Sequence, residues 1–471
     1  MSDTDYLSAT DVQQQLGISP ATFYRWVKDG RLQGIRVGRR WQFTQEAIDA
    51  VRRDDAGDAQ RREGVSEALT QLRERVIALG TSPEKAGTMI EGMDDVDGAV
   101  QLLVEHALAR QASDVHLAPV ADGLRVRERI DGQLVEVGPP LPEASRRELV
   151  RGIKRWAGLE PEVESRPQDG RFFVEHDARK VDVRVSSFPT GLGEALTLRL
   201  LDPARMTVDL ERLGLSPQVL AAVRRAIGRS HGVLLVNGPG GSGKSTTLYA
   251  LLNERRRAGI KIMTVEDPVE LYLDGLLQAP VSDQLSFTDA MRAMLRNDLD
   301  LGMVSELRDE ESIRLLYQMA SAGHLMLSAL HAATGVEALQ RLIELGGVAP
   351  RMIAELTLGV LSQRLVPKAC PGCKQVERLG RADARRLDLP ADLEVVRAPG
   401  CEDCEHTGAR GRTAAAAFLE PTREEREALA EGNPVVQAIT TSPERTLLGA
   451  IQALVRDQVV TPAAAATAAG R

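Results

Sequence analysis

Gly238-Pro-Gly-Gly-Ser-Gly-Lys-Ser245 constrains this chain more than any other stretch, because its spacing dictates a backbone and a ligand class together. It satisfies G-x-x-x-x-G-K-[ST], the phosphate-binding P-loop. Gly232-Val-Leu-Leu-Val236 before it is a short apolar run that suits a buried parallel strand. Thr246-Thr-Leu-Tyr-Ala-Leu-Leu252 after it reads as a helix. Strand, glycine loop and helix N-terminus aim backbone N–H groups and a positive dipole end at phosphates. Gly238, Pro239, Gly240, Gly241, Ser242 and Gly243 would form the cradle, with Ser245 and Thr246 at its helical end. Lys244 would reach the β- and γ-phosphates and the Ser245 hydroxyl would ligate Mg²⁺. The chain is read as binding a nucleoside triphosphate.

The length, 471 residues, implies about three domains, and 43% hydrophobic with 27% charged residues is an ordinary globular composition. A net charge of −8 argues against nucleic-acid binding by the whole protein but leaves room for a local basic surface. The start, Met1-Ser-Asp-Thr-Asp5, is acidic and lacks an apolar core, so no signal peptide is expected. No apolar run approaches the ~20 residues of a membrane span. A cytoplasmic chain reaching any membrane only through a partner is expected.

Residues 1–52 form one unit rich in turn signals, followed by a charged linker and helices over 53–94. Val65–Leu79 has a helical apolar pattern, as does Asp95–Arg110, where Val96, Val100, Leu103, Val104 and Leu108 repeat at three and four. From Ser113 to Leu201 the period shifts towards two, with a hairpin signal at Asp131-Gly132. Residues 95–205 are therefore expected to be an α+β domain. From 209 apolar strands and helices alternate, which implies α/β with a parallel sheet covered on both faces. The tail, Thr461–Arg471, is expected to be loosely ordered.

Two strands should bring acids to the phosphate loop. Lys261-Ile-Met-Thr-Val265 ends in Glu266-Asp267-Pro268, and Asp300–Val304 leads to Glu306. Ligands of open α/β sheets bind at this carboxyl edge. Hydrolysing a phosphoanhydride needs a metal to neutralise charge and an acceptor to position water.

Ser113-Asp-Val-His-Leu117, Gln168-Asp-Gly-Arg-Phe172, Arg184-Val-Ser-Ser-Phe-Pro-Thr190, Thr264-Val-Glu-Asp-Pro-Val-Glu270, Gly323–His331 and Ser362-Gln-Arg-Leu365 resemble, in order, the type II secretion and type IV pilus assembly ATPases. The resemblance implies a PAS-like domain over 95–205 joined to a RecA-like ATPase domain over 209–471. It implies a homo-hexamer holding ATP between the two domains and working with an inner-membrane platform protein. By the same resemblance Glu266 activates the attacking water and Glu306 holds Mg²⁺. His331 lies near the γ-phosphate, with His324 at the start of the same motif. Arg184 and Arg199 are the arginines that the PAS-like domain brings to the phosphates. Some positions depart from the family: Ser305 replaces a glycine, Gly302 an aliphatic residue and Ala329 a threonine, and Ala332-Ala333-Thr334 follows His331. ATP binding is expected to be intact and hydrolysis retained, with its rate left open by these changes.

All four cysteines fall in two pairs, Cys370/Cys373 and Cys401/Cys404. Four thiolates without a competing ligand suit a closed, tetrahedral structural Zn²⁺. The module, 366–413, resembles the tetracysteine segment of secretion and assembly members of the family.

In the first unit, Ser8 or Thr10 would cap a short helix closed by Gly17. Ser19-Pro20 would start a second helix, and Arg31–Phe43 would form a hairpin turning at Gly38. Helix, turn, helix and wing resemble excisionase/MerR-type DNA-binding domains. Thr22, Tyr24, Arg25 and Lys28 would then face a major groove of duplex DNA, and Arg36, Arg39 and Arg40 its backbone. Two functions remain open from sequence: an ATP-driven motor for pilus-like assembly or export, and an ATP-controlled DNA-binding regulator.

Overall fold

A computed structural model describes residues 7–16, 18, 23, 26–27, 32–37, 40–52, 70, 73–74, 95–206, 209–256 and 259–470. The chain divides into two compact units, Met1–Leu201 and Asp202–Arg471. Most of 53–94, including the linker and the Val65–Leu79 pattern, lies outside the described residues.

At the start, β1 (Leu7–Ser8), β2 (Ile35–Val37) and β3 (Arg40–Phe43) form a small sheet in the order β1-β3-β2. The Ser8 hydroxyl accepts from the Asp11 N–H and Asp11 Oδ2 accepts from the Ser8 N–H at 2.9 Å, a reciprocal cap on the Ala9–Leu16 helix. Val12, Phe23, Leu32, Phe43, Ile48 and Val51 make its core, and Phe23 meets Phe43 edge to face at 5.4 Å. A Cβ on Gly34 would lie 2.3 Å from the Phe43 ring, so the hairpin closes only with glycine there.

Residues 95–201 of the first unit form one antiparallel sheet with two helices. β4 (Asp114–Val120), β5 (Gly123–Ile130), β6 (Gln133–Glu136), β7 (Leu141–Pro142), β8 (Gln168–His176), β9 (Arg179–Thr190) and β10 (Gly193–Leu201) run in the order β6-β5-β4-β10-β9-β8, with β7 beside β5. Asp131 and Gly132 both take positive φ, 50° and 88°, as the two-residue turn between β5 and β6 requires. Alternate residues such as Val181, Val183 and Val185 pack with the Asp95–Ala109 and Glu143–Trp156 helices, which therefore cover one face.

In the second unit, β11 (Gly232–Asn237), β12 (Ile262–Glu266), β13 (Leu276–Pro280), β14 (Leu301–Val304), β15 (Leu325–Leu330), β16 (Thr357–Ala369) and β19 (Ala409–Leu419) form a sheet ordered β13-β12-β14-β15-β11-β16-β19. Its pairs are parallel except β16 with β19. β11, β14 and β15 are buried throughout, which explains their unbroken apolar runs. Between β16 and β19 a hairpin of β17 (Gln375–Arg378) and β18 (Glu394–Arg397) stands apart.

One expectation fails. Pro462–Ala469 is a helix, not a loose tail: Thr461 caps it by accepting from the Ala464 N–H, and Ala465 and Ala466 are buried. They pack in one cluster with Ile451, Val455 and Leu387, so tertiary burial orders an alanine run with no polar face of its own.

Candidate functional site

The phosphate loop connects β11 to the Lys244–Arg255 helix at the carboxyl edge of the parallel strands. Gly238, Gly241 and Gly243 have φ of 155°, 72° and 89°, and nothing stands within 4 Å of a Cβ built on Gly240 or Gly241. The loop is thus an open cradle whose backbone only glycine adopts without strain. Ser242 Oγ is buried without a partner, the kind of orphaned donor that a phosphate oxygen would satisfy. Lys244 Nζ folds back on the carbonyls of Gly238 at 2.9 Å and Pro239 at 3.0 Å. Burial pulls its ammonium below the ordinary lysine range, against the raising effect of Glu306. These residues fit a nucleotide triphosphate tail.

A cavity of about 160 Å³ gathers Lys244, Ser245, Tyr249, Glu266, Asp267, Glu270, Ser305, Glu306, Arg308 and His331. β12, β14 and β15 end side by side, so residues far apart in sequence converge there. His331 Nε2 lies 3.1 Å from a Glu306 carboxylate oxygen, and Arg308 pairs with Asp267 at 2.7 Å. Ser245 and Glu306 are a hydroxyl and a carboxylate on one cavity wall, the hard oxygen donors that Mg²⁺ prefers.

Glu266 is 2% exposed. Its Oε2 accepts from the Tyr249 phenol, and its Oε1 from Thr264 Oγ1 at 2.6 Å and Gln278 Nε2 at 3.0 Å. A carboxylate offers roughly four lone-pair positions, so one remains for a further donor. Tyr249, Thr264 and Gln278 were missed from sequence, because nothing in their local spacing marks them as partners of Glu266. His324 immediately precedes β15 at the edge opposite the cavity, with its backbone carbonyl accepting from Gly232 N–H at 3.2 Å.

Arg184 and Arg199 belong to the first unit. Cross-strand register lines up Arg171, Arg184, Arg199, Asp114 and Arg129 in one row across β8, β9, β10, β4 and β5. Arg199 Nε donates to Asp114 Oδ1 at 3.0 Å, and Arg184 Nη2 is buried without a partner. Like charges directly opposite one another destabilise a sheet, and Asp114, between Arg199 and Arg129, offsets part of that repulsion.

The four cysteine sulfurs lie within 4.8 Å of one another, with Sγ–Sγ separations of 3.9, 3.9 and 3.8 Å. Zn–S bonds of about 2.3 Å in a tetrahedron require sulfurs roughly 3.8 Å apart. The donor set therefore fits zinc. Burial raises the Cys373 and Cys401 thiols, whereas at Cys404 burial is outweighed by the backbone N–H groups of Cys401 and Gly408, which lower the thiol.

Of the expected DNA contacts, Thr22, Tyr24, Arg25, Lys28 and Arg39 lie outside the described residues, as does the side chain of Arg40. Arg36 is exposed on β2.

The family model described as Type II/IV secretion system protein matches residues 91–464, and one for a helix-turn-helix domain matches residues 6–54. The chain is similar to type II secretion system protein E of Dickeya dadantii, 40% identical over 329 residues, covering 69% of this chain and 66% of that protein. It is similar to type II secretion system ATPase E of Vibrio cholerae, 40% identical, covering 69% and 65%. With protein E of Pseudomonas aeruginosa the figures are 39% identity, 74% and 71%. The chain spans about two thirds of the length of these relatives. Among solved structures, the Legionella pneumophila ATPase DotB matches with TM-score 0.59 at 20% identity, covering 77% of this chain and 93% of that one. The pilus retraction motor PilT with bound ADP gives 0.54 at 23%, covering 78% and 95%. These two likenesses carry the fold: α/β, with the RecA-like P-loop arrangement preceded by an α+β domain.

Proposed function

The chain belongs to the Type II/IV secretion system protein family, and from that premise we propose that it is an ATPase driving secretion or pilus-like assembly. The observation that carries this is the convergence of Lys244, Ser245, Glu266, Glu306 and His331 on one cavity beside the glycine cradle. Mg·ATP, when bound, supplies the phosphoanhydride and a metal that neutralises its charge. Backbone N–H groups of the loop between Gly240 and Thr246 hold the phosphates. Lys244 leaves the Gly238 and Pro239 carbonyls for the phosphate oxygens, and Ser245 with Glu306 holds Mg²⁺. Glu266 orients the attacking water with its remaining lone pair, and His331 stands at the γ-phosphate through its pairing with Glu306. Arg184 and Arg199 are read as phosphate-binding arginines, because a guanidinium fork suits phosphate oxygens and keeps its charge.

A homo-hexamer docked on an inner-membrane platform protein is the working form under this reading. No helix among the described residues is long and apolar enough to cross a membrane, which accords with attachment through a partner. Cys370, Cys373, Cys401 and Cys404 hold a structural Zn²⁺ without a catalytic part. Turnover assays test the core of the reading: Glu266→Gln should bind Mg·ATP and lose hydrolysis, whereas Lys244→Ala should lose binding. Hydrolysis by Glu266→Gln at the wild-type rate would assign the water to another residue.

The helix-turn-helix match over 6–54 favours a second reading, in which residues 1–52 bind duplex DNA through Thr22, Tyr24, Arg25, Lys28, Arg36, Arg39 and Arg40. Binding that weakens steeply with salt, read by anisotropy of a labelled duplex, supports it. Rapid ATP turnover indifferent to DNA supports the motor alone.

A further inference from the structure

The phosphate loop is held from behind by a side chain more than a hundred residues downstream. Gln363, on β16 and 2% exposed, donates from Nε2 to the Ser242 carbonyl at 2.8 Å. Its Oε1 accepts from Thr247 Oγ1 at 2.9 Å. Ser242 belongs to the loop and Thr247 to the first turn of the helix that follows, so one carboxamide spans both. The loop closes tightly here: a Cβ on Gly243 would lie 3.2 Å from Gln363 Nε2, and one on Gly238 2.4 Å from the Gln363 carbonyl. An amide suits the place because it offers a donor and an acceptor without burying a charge.

The preceding residue faces the other side of the sheet, as strand alternation demands. Ser362 Oγ donates to Asn237 Oδ1 at 2.7 Å. Asn237, the last residue of β11, donates from Nδ2 to the carbonyls of Ala332 at 3.1 Å and Thr334 at 3.0 Å. Those carbonyls belong to the loop after His331. Two adjacent residues of one strand thus tie the phosphate loop on one face and the His331 loop on the other.

We propose that Gln363 is a positioning residue for the phosphate cradle and that the Asn237–Ser362 pair positions the His331 loop. The proposal rests on the nucleotide reading above. The brace fixes the cradle before the ligand arrives, so the ligand's binding energy is not spent on ordering it. The Asn237 side holds His331 where Glu306 meets it, which bears on turnover rather than on affinity.

The test uses the full chain, with Mg·ATP affinity measured by calorimetry and turnover by phosphate release. Gln363→Leu and Thr247→Val each remove the brace at nearly constant volume and should weaken Mg·ATP binding about tenfold. Thr247→Ser keeps the hydroxyl and should bind within about twofold of wild type. Asn237→Ala should lower kcat with affinity within the same twofold of wild type. If Gln363→Leu fails to fold, the Thr247→Val and Thr247→Ser pair decides the matter. Wild-type affinity in Gln363→Leu or Thr247→Val overturns the brace and leaves the nucleotide reading standing. Wild-type turnover in Asn237→Ala overturns the His331 half. A folded wild-type chain that binds no Mg·ATP overturns the nucleotide reading and the brace with it.

Discussion

Tyr249 donates its phenolic hydrogen to Glu266 Oε2 beside the cavity at the glycine cradle, and the same oxygen of Tyr249 accepts from the N–H groups of Glu270 and Leu271, both at 3.2 Å. One hydroxyl therefore locks the Lys244–Arg255 helix, the end of β12 and the loop after it. Burial and the adjacent carboxylate push the phenol far above its ordinary range, so Tyr249 stays a donor at any working pH. Under the proposed reading, that hydrogen bond aims the Glu266 carboxylate.

Tyr249→Phe should destabilise the second unit by about 1–3 kcal/mol, because it strands a buried carboxylate oxygen and two N–H groups. Under the proposed reading kcat should fall more than Mg·ATP affinity. Denaturant unfolding and ATP turnover measure the two effects. A mutant with wild-type stability and rate would show that the hydroxyl aims nothing.

Lys154 and Glu194 form an ion pair at 2.8 Å with both side chains at most 1% exposed. Lys154 Nζ also donates to the Val163 carbonyl at 2.7 Å. Lys154→Met should cost roughly 3–5 kcal/mol by leaving a buried unpaired charge. The double change Lys154→Met with Glu194→Leu should recover most of that loss. A double-mutant cycle by urea unfolding with no coupling between the sites would contradict the pair.

Glu425 carries an acid-sensitive share of stability. Burial raises its carboxyl, but Arg445 at 2.6 Å and the N–H groups of Thr422 and Thr440 outweigh it and hold it at about 2. A depressed folded value means the stabilisation is complete above the unfolded value of about 4.3 and lost as pH falls towards 2. Arg445→Ala should flatten the unfolding midpoint over that window and cost about 2 kcal/mol at neutral pH. Parallel acid titrations of mutant and wild type would argue against this assignment.

Purified protein should carry about one equivalent of zinc, as four thiolates in a tetrahedron hold one ion. Cys370→Ser should lose the metal and lower the thermal midpoint, with Mg·ATP affinity little changed. Elemental analysis below half an equivalent would count against the site.

The phosphate loop and its flanking strand and helix were legible because the chemistry is local: glycine, lysine and serine act within eight consecutive residues. Glu266 and Glu306 could be read for a related reason, since each closes an apolar run that can only be a buried strand. The hairpin at Asp131-Gly132 was visible in the same way. The braces were not. Tyr249 reaches Glu266 from a helix face that reads as plain core, and Gln363 meets the phosphate loop only because β16 lies beside β11. The Pro462–Ala469 helix was misread because alanines carry no periodic signal until neighbours bury them.

Within single segments, then, the order of residues alone determined which groups form the glycine cradle and which strands run buried, since those depend on backbone geometry over a few positions. Only the folded sheet decided which side chains hold these groups in place. Strand order is a long-range choice governed by burial, and it brings Gln363, Asn237 and Gln278 beside partners that no local pattern names.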